Sequence, residues 1–314
     1  LQTSAEIPDF DAPVSTLKVK GHAEGETAEF LKFIKQSPVA KQIDHFTDDM
    51  GAVGKGTLDI GMTIPLQEAR LGESKVDGNY TFAANEVTVD ASLPPLQQVN
   101  GGLRFSEKDL KLSDISAIFL GGSLRIGGGT QSGKLAIAAS GRLGIDELRR
   151  RVEWPLLDHL SGGTTYRADV RVVKRNVELV LDSNLTGVGS TLAAPFAKNA
   201  ADVLPLHLET VILPSTGKGA PTGMREQVTA SLGNVANLQI IRRRQAENSV
   251  IERGAIAIGR PLRPMPERGI AIGVLEQPGL CRKTRQAIPA AIKKSMDRCP
   301  AIAYALLDEG GLFG

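Results

Sequence analysis

The side chains that could do chemistry are scattered rather than grouped. His22, His45, His159 and His207 lie far apart, and none has a second His or a Cys at metal-ligand spacing, so no metal is expected. Cys281 and Cys299 lack the sequence context of a catalytic thiol, and no serine stands in a Gly-x-Ser-x-Gly elbow. Acidic pairs such as Asp48-Asp49 read as solvating charge. Catalysis needs a nucleophile, a base and an orienting group together, and no spacing supplies them. The chain is expected not to be an enzyme and to use no cofactor.

Anion-binding patterns fare little better. Gly51-Ala-Val-Gly54-Lys55-Gly56 is like a phosphate loop, but the Walker pattern has more residues before its Gly-Lys and a helix after it. A strand pattern follows here, so the segment reads as a turn. Gly127-Gly128-Gly129 falls between two strand patterns and reads as a flexible connection. Arg149-Arg150-Arg151, flanked by Glu147 and Glu153, suits ion pairing along a wet helix face better than a phospholipid-headgroup site. Arg242-Arg243-Arg244 ends a strand pattern, where charge protects a sheet edge. Asn184-Leu185-Thr186 matches a glycosylation acceptor, a pattern too short to argue from.

Composition narrows the partners. The 314 residues are 41% hydrophobic and 23% charged, enough for a folded core. Aromatics make up 4% and the net charge is +2, which argues against stacking platforms and phosphate-polymer binding, so no nucleic-acid partner is expected. No run of eighteen apolar residues is present, and the chain begins at Leu1 without a signal pattern, so it reads as a piece of something longer.

What remains is strand alternation. Leu58, Ile60, Met62, Ile64 and Leu66 fall on one side of an extended strand, with small or polar residues between them. Similar patterns follow at 75–83, 86–93, 99–105, 109–112, 116–120, 123–126 and 134–139, and again at 166–173, 177–185, 206–213, 227–232, 238–242, 255–258 and 270–275. Helical patterns are expected near 26–50, interrupted by Pro38, and near 145–160, split by Pro155, while 192–202 reads as a short helix or an ordered loop. Strand patterns so closely spaced leave no room for helical crossovers, which predicts a largely antiparallel sheet. A few short helices cannot cover an apolar face this long. Closing on itself, pairing with a second sheet and curving round an apolar ligand all remain open.

Several segments resemble one family. Val99-Asn-Gly-Gly-Leu-Arg-Phe-Ser106 and Asp114-Ile-Ser-Ala-Ile-Phe-Leu-Gly-Gly122 are similar to the YhdP family, DUF3971-type AsmA-like envelope proteins. Ser37-Pro38-Val39, Ile64-Pro65-Leu66, Asn85-Glu-Val-Thr-Val before Leu93-Pro94, and Ala194-Pro-Phe-Ala-Lys198 before Leu204-Pro-Leu206 extend the likeness, in order, over about 14–275.

The resemblance implies a mainly β fold in which a large curved antiparallel sheet forms an elongated hydrophobic groove (a β-taco). It divides the chain into a groove segment over 1–278 and a divergent tail over 279–314, where further strands would be expected but Pro289 and Pro300 interrupt an Ala-, Lys- and Arg-rich stretch. That tail is either helical or without fixed structure. The resemblance also implies a Gram-negative periplasmic protein, anchored to the inner membrane by a segment missing from this chain. Its expected partners are phospholipid acyl chains and inner- and outer-membrane components, and its expected role is phospholipid transport between the membranes in outer-membrane biogenesis. If the strands share one register, Leu58, Ile60, Met62, Ile64, Tyr80, Phe82, Val87, Val89, Leu103 and Phe105 face inward and are the candidate groove lining. The alternative is a non-catalytic structural or interaction module of the envelope with a closed core.

Overall fold

The computed structural model describes residues 1–10, 14–36, 40, 47–89, 94–132, 134–151, 154–173, 176–213, 224–244 and 249–274. The tail over 279–314, both cysteines, His45 and most of the stretch after Pro38 lie outside the described residues. The protein is mostly β, with 64% of residues in strands and few short helices. Two compact units are formed, Leu1–Gly141 with Asp169–Val177, and Arg142–Ala168 with Glu178 onward.

The first unit is an antiparallel meander. Strands β1 (Gln2–Glu6), β2 (Thr16–Glu26), β3 (Gly51–Pro65), β4 (Lys75–Thr88), β5 (Leu96–Ser106), β6 (Leu110–Phe119), β7 (Gly122–Gln131) and β8 (Lys134–Gly144) pair in chain order. β1 stands at one end of the sheet order, while β8 is followed in it by β9 (Leu160–Val173). Helix α1 (Thr27–Gln36) interrupts the meander between β2 and β3 and packs back on both. Glu29 in its first turn and Lys35 in its last complement the helix dipole, and Phe30, Leu31 and Ile34 make its buried stripe.

Irregularities join strands that alternation separates. The patterns at 75–83 and 86–93 are one strand, β4, because Ala84 adopts φ 53° and its N–H donates to the Asn100 side chain, making a bulge instead of a turn. Asp114, with φ 50°, joins 109–112 to 116–120 in β6 in the same way. Gly51–Gly56 is not a turn: it belongs to β3, which bulges between Val53 and Lys55. Gly127-Gly128-Gly129 lies inside β7 rather than connecting strands. Gly128 and Gly129 have positive φ, and a Cβ on either would strike the Ala136 or Leu110 carbonyl.

In the second unit, helix α2 (Ile145–Arg151) and a 3-10 turn at Pro155–His159 realise the split helix expected near 145–160. They precede β9 (Leu160–Val173) and β10 (Asn176–Ser183), of which Asp169–Val173 and 176–177 belong to the first unit, and then β11 (Val188–Ser190), β12 (Leu206–Leu213), β13 (Met224–Leu232), β14 (Ala236–Arg244), β15 (Ser249–Ile258) and β16 (Gly269–Val274). β10, β12, β13, β14 and β15 pair antiparallel in that order, β11 pairs with β9, and β16 runs parallel to β15. Residues 192–202 hold no helix. Lys198 bridges back to Ser190, and the Phe196 and Asp202 N–H groups close tight turns on the Ala193 and Asn199 carbonyls in place of a helical ladder.

Candidate apolar lining

Cross-strand register places the candidate residues of the first unit on one face. Leu58 lies opposite Ala23 and Tyr80, and Tyr80 opposite Leu103. Ile60 lies between Gly21 and Gly78, and Gly78 opposite Phe105. Met62 sits between Val19 and Val76, and Ile64 faces Leu17. Opposed residues in an antiparallel pair point the same way, so these form a continuous apolar surface. β3 ends at Pro65, after which the Leu66 N–H donates to Ser15. Val87 is buried, and Val89 is half-buried in the bend after β4.

Part of that surface is a helix-covered core. Phe30 and Ile34 of α1 are buried with Tyr80 and Phe105, and Leu58, Ile60, Phe82 and Leu103 pack around them. Glycines make the space: a Cβ at Gly56 would overlap the Tyr80 ring, and one at Gly78 the Phe105 ring. A polar clasp fixes the helix start. The Tyr80 hydroxyl donates to Thr27 Oγ1 at 2.7 Å, and the Thr27 hydroxyl donates to Asn85 Oδ1. Asn85 Nδ2 donates to the carbonyls of Lys55 at 2.6 Å and Ala83 at 2.9 Å. Burial pushes the Tyr80 phenol above its ordinary range, outweighing the opposing effect of the Thr27 bond. Met62 and Ile64 lie on the same strand face, outside that helix-capped cluster, and are half-buried.

The opposite face of this unit is polar. A concavity of about 870 Å³ is lined by Lys20, His22, Asp59, Asp77, Asn79 and Arg104, among others. His22 Nδ1 and Asp59 Oδ1 are directly opposed at 2.6 Å.

The second unit carries an apolar face of its own. Register aligns Leu206 and Leu208 of β12 with Leu232 and Ala230 of β13, Ala236 and Leu238 of β14, and Ile258 and Ile256 of β15. Val228 and Ile240 form the next rung. Most of these side chains are half-buried, and no described helix packs on them. The link between parallel β15 and β16 brings Arg260 against Gly273, which lies on the other face beside Ala255 and Ala257.

The comparison with known families rests on nearly the whole described chain: the model of the YhdP protein family matches residues 2–278. The chain belongs to the YhdP family. No curated protein and no solved structure matches it. YhdP membership makes it an AsmA-like envelope protein. Among its described residues no helix is long and apolar enough to cross a membrane.

Within this YhdP-family chain Arg149, Arg150, Arg151, Arg242 and Arg243 of the two arginine triplets each form local ion pairs. Arg149 and Arg150 pair with Asp146 and Glu147, Arg151 pairs with Glu147, and Arg149 also donates to the carbonyls of Leu157 and Leu160. The reading of Arg242–Arg244 as edge protection fails, because β14 is an internal strand between β13 and β15. Arg242 pairs instead with Glu226, and Arg243 with Glu252. The second unit's apolar face went unnominated, although Leu206, Leu208, Val228, Leu232, Leu238 and Ile240 carry the alternation that marked Leu58 to Ile64.

Proposed function

We propose that this YhdP-family chain is a non-catalytic segment of a periplasmic protein that carries phospholipids between the inner and outer membranes. Anchoring to the inner membrane would come from a segment outside this chain. The observation that supports this reading best is the second unit's apolar face, bare of any described helix. Each acyl methylene moved from water onto such a face gains about 0.8 kcal/mol, so two chains are held without specific polar contacts. The occupant is then acyl chain, and the lining needs continuity rather than chemistry.

The alternative reading, a structural or interaction module with a closed core, draws support from α1 seated over Tyr80 and Phe105. Purification without detergent, solvent extraction and mass spectrometry distinguish the two. Stoichiometric phospholipid is expected; folded protein that carries none, and takes none from vesicles, rules out the transport reading.

A further inference from the structure

One charged rung interrupts the second unit's apolar face. Glu226 of β13 and Arg242 of β14 are cross-strand partners, flanked by Ile212 of β12 and Ile251 of β15, with Val228 and Ile240 on the next rung. Glu226 is only 3% exposed, and Arg242 Nε donates to its Oε1. A carboxylate so buried costs several kcal/mol unless paired, so it holds the guanidinium in place. The Arg242 side chain keeps 34% of its accessibility, and its two η nitrogens have no hydrogen-bond partner among the described residues. A rigid fork of N–H donors is thus presented at the end of an apolar strip. Arg225 and Arg243 differ, because both donate to Glu252.

The complement to such a surface is an anion that brings apolar surface with it. From Glu226 to Leu232 the strand rises ~20 Å at ~3.4 Å per residue. One bilayer leaflet is ~15 Å of hydrocarbon. We infer that Arg242, oriented by Glu226, receives the phosphate of a phospholipid whose acyl chains lie over Ala230, Leu232, Leu238 and Ile240. The inference rests on the phospholipid-carrying reading and adds to it a fixed headgroup position and a preference for phosphate-bearing lipid. Arginine forks bind phosphate through paired, charge-assisted hydrogen bonds.

The test compares acyl-labelled phosphatidylglycerol with the matching diacylglycerol, which lacks phosphate, each offered in vesicles to the whole chain and to a Glu226→Gln/Arg242→Gln double variant. The double change removes both charges and strands neither. The native protein is expected to favour phosphatidylglycerol about tenfold, the equivalent of ~1.4 kcal/mol, and the variant to lose that preference with diacylglycerol uptake unchanged. An undiminished preference in the folded variant overturns the headgroup assignment and leaves the transport reading standing. Uptake of neither lipid by the native protein overturns both. Inorganic phosphate in excess is expected to leave bound lipid in place; displacement of the lipid by it would make Arg242 a free-anion site and overturn the claim. If the double variant does not fold, Arg242→Lys keeps the charge and loses the fork. A several-fold fall in preference is then expected, and no fall refutes the assignment.

Discussion

Phe30 stacks on Tyr80 with ring centroids 3.9 Å apart and planes 9° from parallel, so a helix between β2 and β3 lies over the strand face that alternation marks as apolar. Stacking of this kind adds about 0.5–1.5 kcal/mol to the burial of the rings themselves. Tyr80 and Phe105 are therefore core residues, whatever the rest of the face carries.

That division predicts opposite outcomes for the same substitution. Asp at Phe105, Ile60 or Phe82 places an unpaired carboxylate in or against the α1 core and is expected to unfold the first unit; Phe105→Ala alone costs about 3–5 kcal/mol. Asp at Leu238 or Ile240 is expected to leave the fold intact and reduce bound phospholipid. Circular dichroism and lipid extraction of each variant check both halves. Unfolding by Leu238→Asp would mark the second unit's face as closed core.

The clasp at the start of α1 predicts a ranking. Tyr80→Phe removes one donor to Thr27 and is expected to cost about 1 kcal/mol, since Thr27 still bonds Asn85. Asn85→Ala leaves the buried Thr27 hydroxyl without its acceptor and the part-buried Lys55 and Ala83 carbonyls without their donor, and is expected to cost about 1–3 kcal/mol. Urea midpoints give the order directly.

Two glycines should differ sharply. Gly78→Ala drives a methyl into the Phe105 ring and is expected to destabilise by about 1–3 kcal/mol. Gly127→Ala, with open space around its Cβ position, is expected to stay within about 0.5 kcal/mol of the native protein. Thermal melting of the pair tests whether tight packing under the rings, rather than strand glycine as such, sets the requirement.

Burial alone would raise the Glu252 carboxyl, but hydrogen bonds and charge from Arg243 and Arg225 outweigh it and hold the group below its ordinary range. A carboxyl depressed in the folded state contributes stability above its unfolded value, near pH 4.3, and loses it as pH falls through the lower folded value. Native protein is expected to lose stability across that acidic window, and Glu252→Gln to flatten the loss. Urea midpoints measured down through about pH 4 provide the check. Identical slopes would show that the Arg225–Glu252–Arg243 contact is too weak to matter.

Alternation by itself determined the β class, the antiparallel pairing and the side of β3 that Leu58, Ile60, Met62 and Ile64 occupy, because side chains in a strand alternate whatever the partner. The ordered segments likewise determined the YhdP family. Tertiary structure decided the rest. A bulge at Ala84 keeps Tyr80, Phe82 and Asn85 on the face that α1 covers, and its positive φ leaves no mark in an alanine-rich string. The seating of Phe30 on Tyr80 and the burial of Glu226 against Arg242 join residues far apart in the chain or on neighbouring strands. Spacing records which way a side chain points along its own strand; what lies over it is set by register and by the path of the chain between strands.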